Sequence, residues 1–227
     1  MKSLFYKRLR FAVIGATLSA CATLGYGQSS FSMQIVADND FAVFAGTSSS
    51  VTELLYQNDY SWPDQIANLS TLSFDLQNGE TTFYLLGMGG GGEENISGTV
   101  NGVDITTIGD VSMSSDIGPS LTGYEAQSSS GTVADGTFDA SLSDVQAAFS
   151  SLTWGPPSLN SSDAVIQMAS PNGYGFDFPS QTAHLFSFST ADVGVTSTPE
   201  PSTTGLLLVG AGMAMVAICV RQSPPWL

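Results

Sequence analysis

Two short runs of oxygen-bearing side chains are the residues of this sequence best suited to chemistry. Asp38-Asn39-Asp40 stands between two apolar runs, and Glu93-Glu94-Asn95 follows the glycines at 89–92. Hard cations such as Ca²⁺ take six to eight oxygen ligands, so Asp38, Asn39 and Asp40 are predicted as candidate calcium ligands. The favoured interpretation, however, is an exposed turn over the same three residues, held by Asx hydrogen bonds.

Enzymatic chemistry has less support in the sequence. A serine hydrolase needs a base, and His184 is the only histidine, but the G-x-S-x-G nucleophile motif is absent. Glycoside hydrolysis needs two carboxyl groups about 5 to 9 Å apart, and the sequence does not single out one pair among its many acids. A non-enzymatic protein is therefore predicted, with a secreted hydrolase as the third alternative.

The distribution of charge divides the chain into a body and two ends. Of 20 Asp and Glu residues only Glu200 lies outside the stretch from Gln28 to Thr198, whereas all 5 Lys and Arg residues lie outside it. Binding to a nucleic-acid backbone depends on Lys and Arg that replace counterions, so nucleic acid is excluded as a partner of this body. Its acids must instead face solvent, accept hydrogen bonds or bind cations.

Aromatic side chains offer a second kind of site. Concave surfaces of carbohydrate-binding domains use such rings to stack on sugars, although aromatic residues more often close a core. The candidates in this sequence are Trp62, Trp154, Tyr56, Tyr60, Tyr124 and Tyr174. A carbohydrate-binding module that binds polysaccharide, with calcium assisting, is therefore the alternative function.

The elements that must position these residues are predicted to be short strands. Apolar runs recur between Gly, Ser, Asn and Asp, and several alternate, as Leu72, Phe74 and Leu76 do against Ser73 and Asp75. The candidate strands are Met33 to Ala37, Phe41 to Ala45, Val51 to Tyr56, Leu69 to Leu76, Thr81 to Leu86, Val103 to Ile108, Thr132 to Phe138, Ala164 to Met168 and His184 to Phe188. This pattern predicts an antiparallel β-sandwich or a jelly roll.

One segment has helical rather than strand spacing. Val145, Ala148, Phe149 and Leu152 recur at helical intervals, and Ser143 with Gln146 resembles a capping box. A short helix over 143–152, packed on a sheet, is predicted.

The N-terminal segment has the composition of a secretory signal peptide. Four basic residues lie within the first ten positions, and an apolar run of ten residues follows, which is too short to span a bilayer. Gly25 and Gly27 predict a signal peptide over 1–27 and a mature start at Gln28, and Ala20 with Ala22 offers a second cleavage site. The alternative is a lipobox ending at Cys21, which would then carry a lipid.

The C-terminal segment predicts a membrane helix after a linker. The stretch at 203–220 is uncharged and almost entirely apolar, Arg221 follows it, and Pro, Ser and Thr precede it. Eighteen residues at about 1.5 Å each span about 27 Å, which is close to a hydrocarbon core. A buried C-terminal core helix is the alternative.

The order of these features resembles the PEP-CTERM sorting signal of exported bacterial proteins. Pro199-Glu200-Pro201 is followed by Ser and Thr, an apolar helix and a basic residue, over about 25 residues, and Arg221 stands where the family has a cluster of arginines. The resemblance implies processing by an exosortase-type enzyme, transient membrane anchoring through the C-terminal helix, and release or attachment at the cell surface.

Together these features predict three parts. A signal peptide covers 1–27, an acidic β-sandwich ectodomain with one short helix covers 28–196, and a sorting signal covers 197–227. The predicted function is a structural or interaction role in the cell envelope or the extracellular polysaccharide matrix.

Overall fold

The alternating runs of the body form strands. The computed structural model describes residues 29–77, 79–92, 94–128, 137–161, 169–194 and 196–197. The strands in these ranges are β1 (Ser29–Asp38), β2 (Asp40–Thr47), β3 (Ser50–Gln57), β4 (Leu72–Leu76), β5 (Thr82–Met88), β6 (Glu94–Val100), β7 (Val103–Asp104), β8 (Ser112–Ser114), β9 (Trp154–Gly155), β10 (Ser158–Asn160), β11 (Gly175–Phe178), β12 (Ala183–Ser189) and β13 (Thr196–Ser197). The α-helices are α1 (Asp64–Ala67), α2 (Thr122–Ser128) and α3 (Leu142–Phe149), and short 3₁₀ helices cover Ile105–Thr107 and Gly118–Ser120.

The described strands make two antiparallel sheets. The first sheet has the order β10-β11-β6-β1-β13, with β4 also paired to β1 and β7 to β6. The second sheet has the order β3-β2-β5-β12-β8-β9. Because β1 lies in the first sheet and β2 in the second, the chain changes sheets at Asn39.

The main core lies between the two sheets. Phe31 of β1 stacks on Phe83 of β5 with ring centroids 4.9 Å apart, and Phe83 stacks on Phe188 of β12 at 4.8 Å. All three side chains are buried. Since burial of such a side chain is worth about 1.5–3 kcal/mol, the contact of Phe31 with Phe83 helps to hold the two sheets face to face, whereas Phe83 and Phe188 are neighbours within the second sheet.

A second apolar layer covers the outer face of the second sheet. Tyr84 and Leu86 of β5 point away from the main core and contact the helical side of the molecule, where Phe149 of α3 meets Tyr84 edge-on at 5.4 Å. The buried side chains of α3 are Val145, Ala148 and Phe149, which is the apolar stripe predicted from the sequence.

A smaller apolar group covers part of the outer face of the first sheet. It consists of Val36 of β1 and Ala169, with Trp62, Ile66 and Leu69 packed against them. Trp62 therefore belongs to a covering layer and not to an open aromatic surface.

The predicted fold class agrees with the structure at the level of two antiparallel sheets with few helices, an arrangement consistent with a β-sandwich. The alternation predicted for β4 is also observed, since Leu76 is buried and Leu72 and Phe74 are half-buried, whereas Ser73 and Asp75 are exposed. The expected strand at 103–108 is wrong beyond Asp104, because the chain turns into a 3₁₀ helix there and the Asp104 side chain accepts from the Thr106 N–H.

Other predicted elements differ from the structure in where they begin or end. Helix α3 begins at Leu142 because the hydroxyl of Ser141 accepts the N–H of Asp144, so the cap lies two residues before the predicted Ser143. Phe138, at the end of a predicted strand, lies in a loop and in neither sheet.

Several predictions concern segments outside the described residues. These are the signal peptide, Cys21, the strand at 164–168, the sorting motif Pro199-Glu200-Pro201, the helix at 203–220 and Arg221. Within the described ranges, none of the helices is long and apolar enough to cross a membrane.

Candidate functional site

The candidate site lies where the chain crosses from the first sheet to the second. Strand β1 ends at Asp38, Asn39 follows, and β2 begins at Asp40. The exposed fractions of the three side chains are 8%, 0% and 0%. The exposed turn favoured from the sequence is therefore wrong, since a crossover between packed sheets is covered on both sides.

Asp40 connects three separate segments through its carboxylate. Its Oδ1 accepts the Phe41 N–H at 2.7 Å and the Asn58 Nδ2 at 2.5 Å, and its Oδ2 accepts the Phe138 N–H at 2.5 Å. Phe138 is 98 positions further along the chain. The carboxylate thus holds the loop before α3 against the start of β2.

The environment of Asp40 changes its acidity. Burial raises its pKa to about 7, while the hydrogen bonds from Asn58, Phe138 and Phe41 oppose the rise and the charge of Asp139 adds to it. Removal from water disfavours the charged form, and no Lys or Arg exists in the body to offset the loss. Asp40 is therefore a group that changes its charge near neutral pH.

Two amide side chains extend the hydrogen bonds around Asn39 and Asp40, and we call this network the polar junction. Gln65 of α1 accepts the Ala37 N–H at 2.9 Å and donates to the Asn39 carbonyl at 2.6 Å. Asn58 donates to the Tyr60 carbonyl at 2.6 Å as well as to Asp40. These bonds attach the segment between β3 and β4 to the crossover.

Helix α1 places Gln65 for this role. Ser61 Oγ donates to Asp64 Oδ2 at 3.1 Å, and the Ser61 carbonyl accepts the N–H of both Asp64 and Gln65. A helix of only four residues has little stability of its own, so these bonds and the packing of Ile66 keep it formed.

A small cleft opens beside the junction, between the end of β3 and the start of β4. We call it the tyrosine cleft. Its accessible volume of about 20 Å³ is enough for one water and much smaller than a ligand pocket. It is lined by Ile35, Phe41, Tyr56, Asn58, Tyr60, Gln65, Asn68, Leu69, Ser70 and Leu72.

Two of the predicted aromatic candidates meet at this cleft. Tyr60 is 44% exposed, and Tyr56 is half-buried with its ring 5.7 Å from that of Phe41. The pKa of Tyr56 is raised by burial first and then by the nearby charges of Asp59, Tyr60 and Asp40. The cleft thus exposes Tyr60 to solvent and is also lined by Asn58 and Gln65, whose side-chain amides form hydrogen bonds within the protein.

The remaining aromatic candidates lie elsewhere. Tyr124 is buried and its hydroxyl donates to the Gly89 carbonyl at 2.8 Å, so it is part of a core. Trp154 is 37% exposed and packs on Phe149 with ring centroids 5.7 Å apart. Tyr174 is 46% exposed and precedes β11. The six predicted aromatic residues therefore do not form one platform.

The predicted calcium ligands are adjacent in sequence but point in different directions. Asp38 follows Ala37, a core residue, and so faces the outer side of the first sheet, whereas both oxygens of Asp40 accept hydrogen bonds at the junction. Among the residues that the structure describes, no three His, Cys, Asp or Glu side chains are grouped to hold a metal.

Glu94 and His184 are also enclosed. Glu94 is 1% exposed at the start of β6, and its side chain lies against Gly89. His184 is 6% exposed, and its ring nitrogens contact the Ser114 carbonyl at 2.8 Å and Thr182 Oγ1 at 2.9 Å. His184 thus connects β12 to its neighbours in the manner of a structural histidine.

Sequence reasoning missed Asn58 and Gln65, whose side chains form the hydrogen bonds to Asp40, Ala37 and Asn39. Each stands in a polar segment between strands, where amides are common, and nothing in the spacing indicates that they meet Asp40 and Asn39. Comparison of the chain with family models, with curated proteins and with solved structures finds no match.

Proposed function

We propose that this chain is an exported, surface-sorted, non-enzymatic protein with a structural or interaction role in the cell envelope or extracellular polysaccharide matrix. The order of its segments carries the proposal. A cationic and apolar leader precedes an acid-only body, and Pro199-Glu200-Pro201 with an apolar stretch and Arg221 follows it. The resemblance to PEP-CTERM signals supplies the processing enzyme as a partner.

The surface of the body supports this role. Acidic side chains are exposed at Asp59, Asp64, Asp75, Asp110, Asp116, Glu125, Asp139 and Asp192. A surface with negative charge and no basic residue keeps a protein soluble and repels anionic polymers and membranes. Neutral glycans, cations and basic surfaces are the partners that such a body favours.

Mass spectrometry of the protein recovered from its own host tests the proposal. The wild type is expected to begin at Gln28 and to end close to Pro199-Glu200-Pro201. Replacement of these three residues by alanine should leave the C-terminal segment attached, whereas Cys21→Ser, the matched control, should not change the C-terminus. A wild-type protein that reaches its final location with an intact Leu227 contradicts the proposal, and a lipid on Cys21 would support the lipobox.

Carbohydrate binding is the second candidate, and the tyrosine cleft is the observation that favours it. An exposed Tyr60 beside a half-buried Tyr56 can stack on a sugar ring at the mouth of the cleft. The small volume means that the sugar would lie on the rim and not inside.

A glycan array with the full chain tests this candidate. Tyr60→Ala should abolish the signal, whereas Tyr174→Ala, which removes an equally exposed tyrosine outside the cleft, should retain it. Loss of the signal in both variants, or in neither, would mean that the tyrosine cleft is not the site of glycan binding.

A further inference from the structure

The tyrosine cleft lies beside a gap in the pairing of β1. Strand β4 pairs with the first half of β1, and the last pair of residues is Met33 with Leu72. Further along the same edge of β1 the side chain of Gln65 takes the place of a strand, because its Oε1 accepts the Ala37 N–H at 2.9 Å. Ile35 stands midway between these two contacts and lines the cleft.

The pleat of β1 gives the direction of the Ile35 peptide groups. In a strand, the N–H and C=O of successive residues point to alternate edges. The Ser32 N–H donates to Asn101 Oδ1 at 2.9 Å, and Asn101, which follows β6, returns a bond to the Ser32 carbonyl. Even-numbered residues of β1 therefore point toward β6, whereas odd-numbered ones such as Ala37 point toward α1 and β4. Ile35 is odd-numbered, so its N–H and C=O point to the side of the cleft.

The pairing with β4 stops before it reaches Ile35. Because Met33 lies opposite Leu72, the residue opposite Ile35 in a longer antiparallel ladder would be Ser70. Ser70 belongs to no strand and lines the cleft instead. Within the described part of the chain, one backbone donor and one backbone acceptor are thus left facing the cleft. Buried peptide groups of this kind are nearly always paired, with protein, water or ligand.

The size of the cleft limits what can bond to the Ile35 peptide. Its volume of about 20 Å³ admits a group of about one water, so neither a peptide strand nor a sugar ring enters it. A hydroxyl group has this size, and it can accept from an N–H and donate to a C=O at the same time. The floor of the cleft therefore matches an alcohol of a ligand.

The mouth of the cleft suits a neutral sugar. Tyr60 is 44% exposed there, and the face of its ring can pack on the apolar face of a sugar. The nearby charges are negative, since Asp59 acts on Tyr56 and Asp64 is exposed on α1. Without a Lys or Arg in the body, these carboxylates disfavour uronic acids and other anionic ligands.

We propose that the tyrosine cleft binds neutral hexose glycans through their exocyclic hydroxymethyl group. The group enters the cleft, its hydroxyl bonds to the N–H and C=O of Ile35, and the sugar ring lies outside against Tyr60. The hydroxymethyl group carries its oxygen on a rotatable bond beyond the ring, so it reaches into a cleft that is too narrow for the ring itself. The inference rests on carbohydrate binding, the second candidate function, and names the sugar class that this site takes.

Matched pairs of glycans test the proposal without any change to the protein. Calorimetric titration of the full chain compares cello-oligosaccharides with xylo-oligosaccharides, which have the same linkage but lack the hydroxymethyl group. Galactosides and mannosides are compared with their 6-deoxy analogues, which lack only the hydroxyl. The complete hexose of at least one pair should bind about tenfold more tightly than its partner, because the partner leaves the Ile35 peptide without its hydrogen bonds.

A substitution that fills the cleft provides the second test. Ser70→Leu places an apolar side chain where the hydroxymethyl group enters and leaves Tyr60 in place, so hexose binding should fall to the level of the deoxy analogue. Ser73→Leu is the matched control, because Ser73 is exposed on β4 and does not line the cleft. It should bind as the wild type does, and thermal melting shows whether both variants fold.

The outcomes separate this inference from the proposed functions. Equal binding of hexose and deoxy partners, or wild-type binding by Ser70→Leu, overturns the inference alone when Tyr60→Ala still abolishes binding. Loss of binding in Ser73→Leu as well overturns the assignment to the cleft. If the wild type binds no glycan, the inference and the carbohydrate candidate fall together, whereas the processing of the two ends is unaffected.

Discussion

Asp40 should make the stability of the folded body depend on pH in a defined direction. Its pKa is raised from 3.8 to about 7 in the folded chain, so the folded state keeps the proton at pH values where the unfolded state has released it. Folding is therefore favoured at low pH, and this contribution is lost as the pH rises from about 4 through about 7.

The structure sets the size of the effect. A change of one in pKa corresponds to about 1.4 kcal/mol, so the free energy of unfolding should fall by about 2–3 kcal/mol between pH 5 and pH 8 through Asp40 alone. The sign follows from burial, which outweighs the three hydrogen bonds that favour the carboxylate. Asp40→Asn cannot titrate, and its amide resembles the protonated acid in shape, so it should lose this part of the pH dependence.

Urea unfolding of the full chain at pH 5, 6, 7 and 8, followed by tryptophan fluorescence, measures the effect. The other acids of the body contribute a pH dependence of their own, so the quantity to compare is the change from pH 5 to pH 8 in wild type and variant. Asp75→Asn is the control, because it removes an exposed charge. It should keep most of the wild-type change.

Two results would refute the reasoning about Asp40. One is an equal change from pH 5 to pH 8 in wild type and Asp40→Asn, which would mean that Asp40 does not titrate in this range. The other is a wild-type stability that increases with pH after the control is subtracted, which would mean that the hydrogen bonds from Asn58 and Phe138 outweigh burial.

Two further substitutions test the packing. Gly98→Ala in β6 should lower the free energy of unfolding measured in urea by about 2–4 kcal/mol, because φ is +141° and the added Cβ would lie 1.9 Å from the Gln34 carbonyl oxygen. The control Gly155→Ala meets open space and should cost under about 1 kcal/mol. Equal costs for the two substitutions would contradict the close approach of the backbone at Gly98. Tyr124→Phe should lower the free energy of unfolding by about 1–2 kcal/mol, since it leaves the buried Gly89 carbonyl without its donor, and an unchanged urea midpoint would show that this bond adds nothing.

Strands that are built from short, mostly apolar runs could be predicted from the sequence. The predicted strands at 33–37, 41–45, 51–56 and 184–188 fall within β1, β2, β3 and β12. These segments are short and mostly apolar runs, and the run at 41–45 is buried on both faces of its sheet. The helix at 142–149 was also predictable, because its apolar residues follow the helical period.

Strands β6 and β11 were missed for a physical reason. The sequence of β6 is ENISGTV, and most of its side chains are polar although nearly all are buried. A strand covered on both faces, with polar groups on one of them, lacks the alternation that marks a half-exposed strand. The Gly89 to Gly92 run follows β5 and leads toward β6, and because these strands lie in different sheets the chain changes sheets there.

The sequence by itself predicted antiparallel β-structure for the body and, for many strand residues, the face of the sheet on which each side chain lies. Alternation and turn residues indicated antiparallel sheets, and the absence of Lys and Arg from 28–198 predicts that nucleic acid is not a partner. These conclusions rest on local periodicity and on composition, which are properties of the chain before it folds.

Only the tertiary structure decided which residues meet. Asp38 and Asp40 are two positions apart, yet Asp38 lies opposite Asn95 of β6, which lies opposite Asp177 of β11, whereas Asp40 accepts hydrogen bonds from Asn58 and Phe138. Alternation states which side of a sheet a residue faces, but it does not state which strand lies next to it. Strand order and register are set by packing across the whole core, so the partners of each carboxylate appear only when the two sheets have formed.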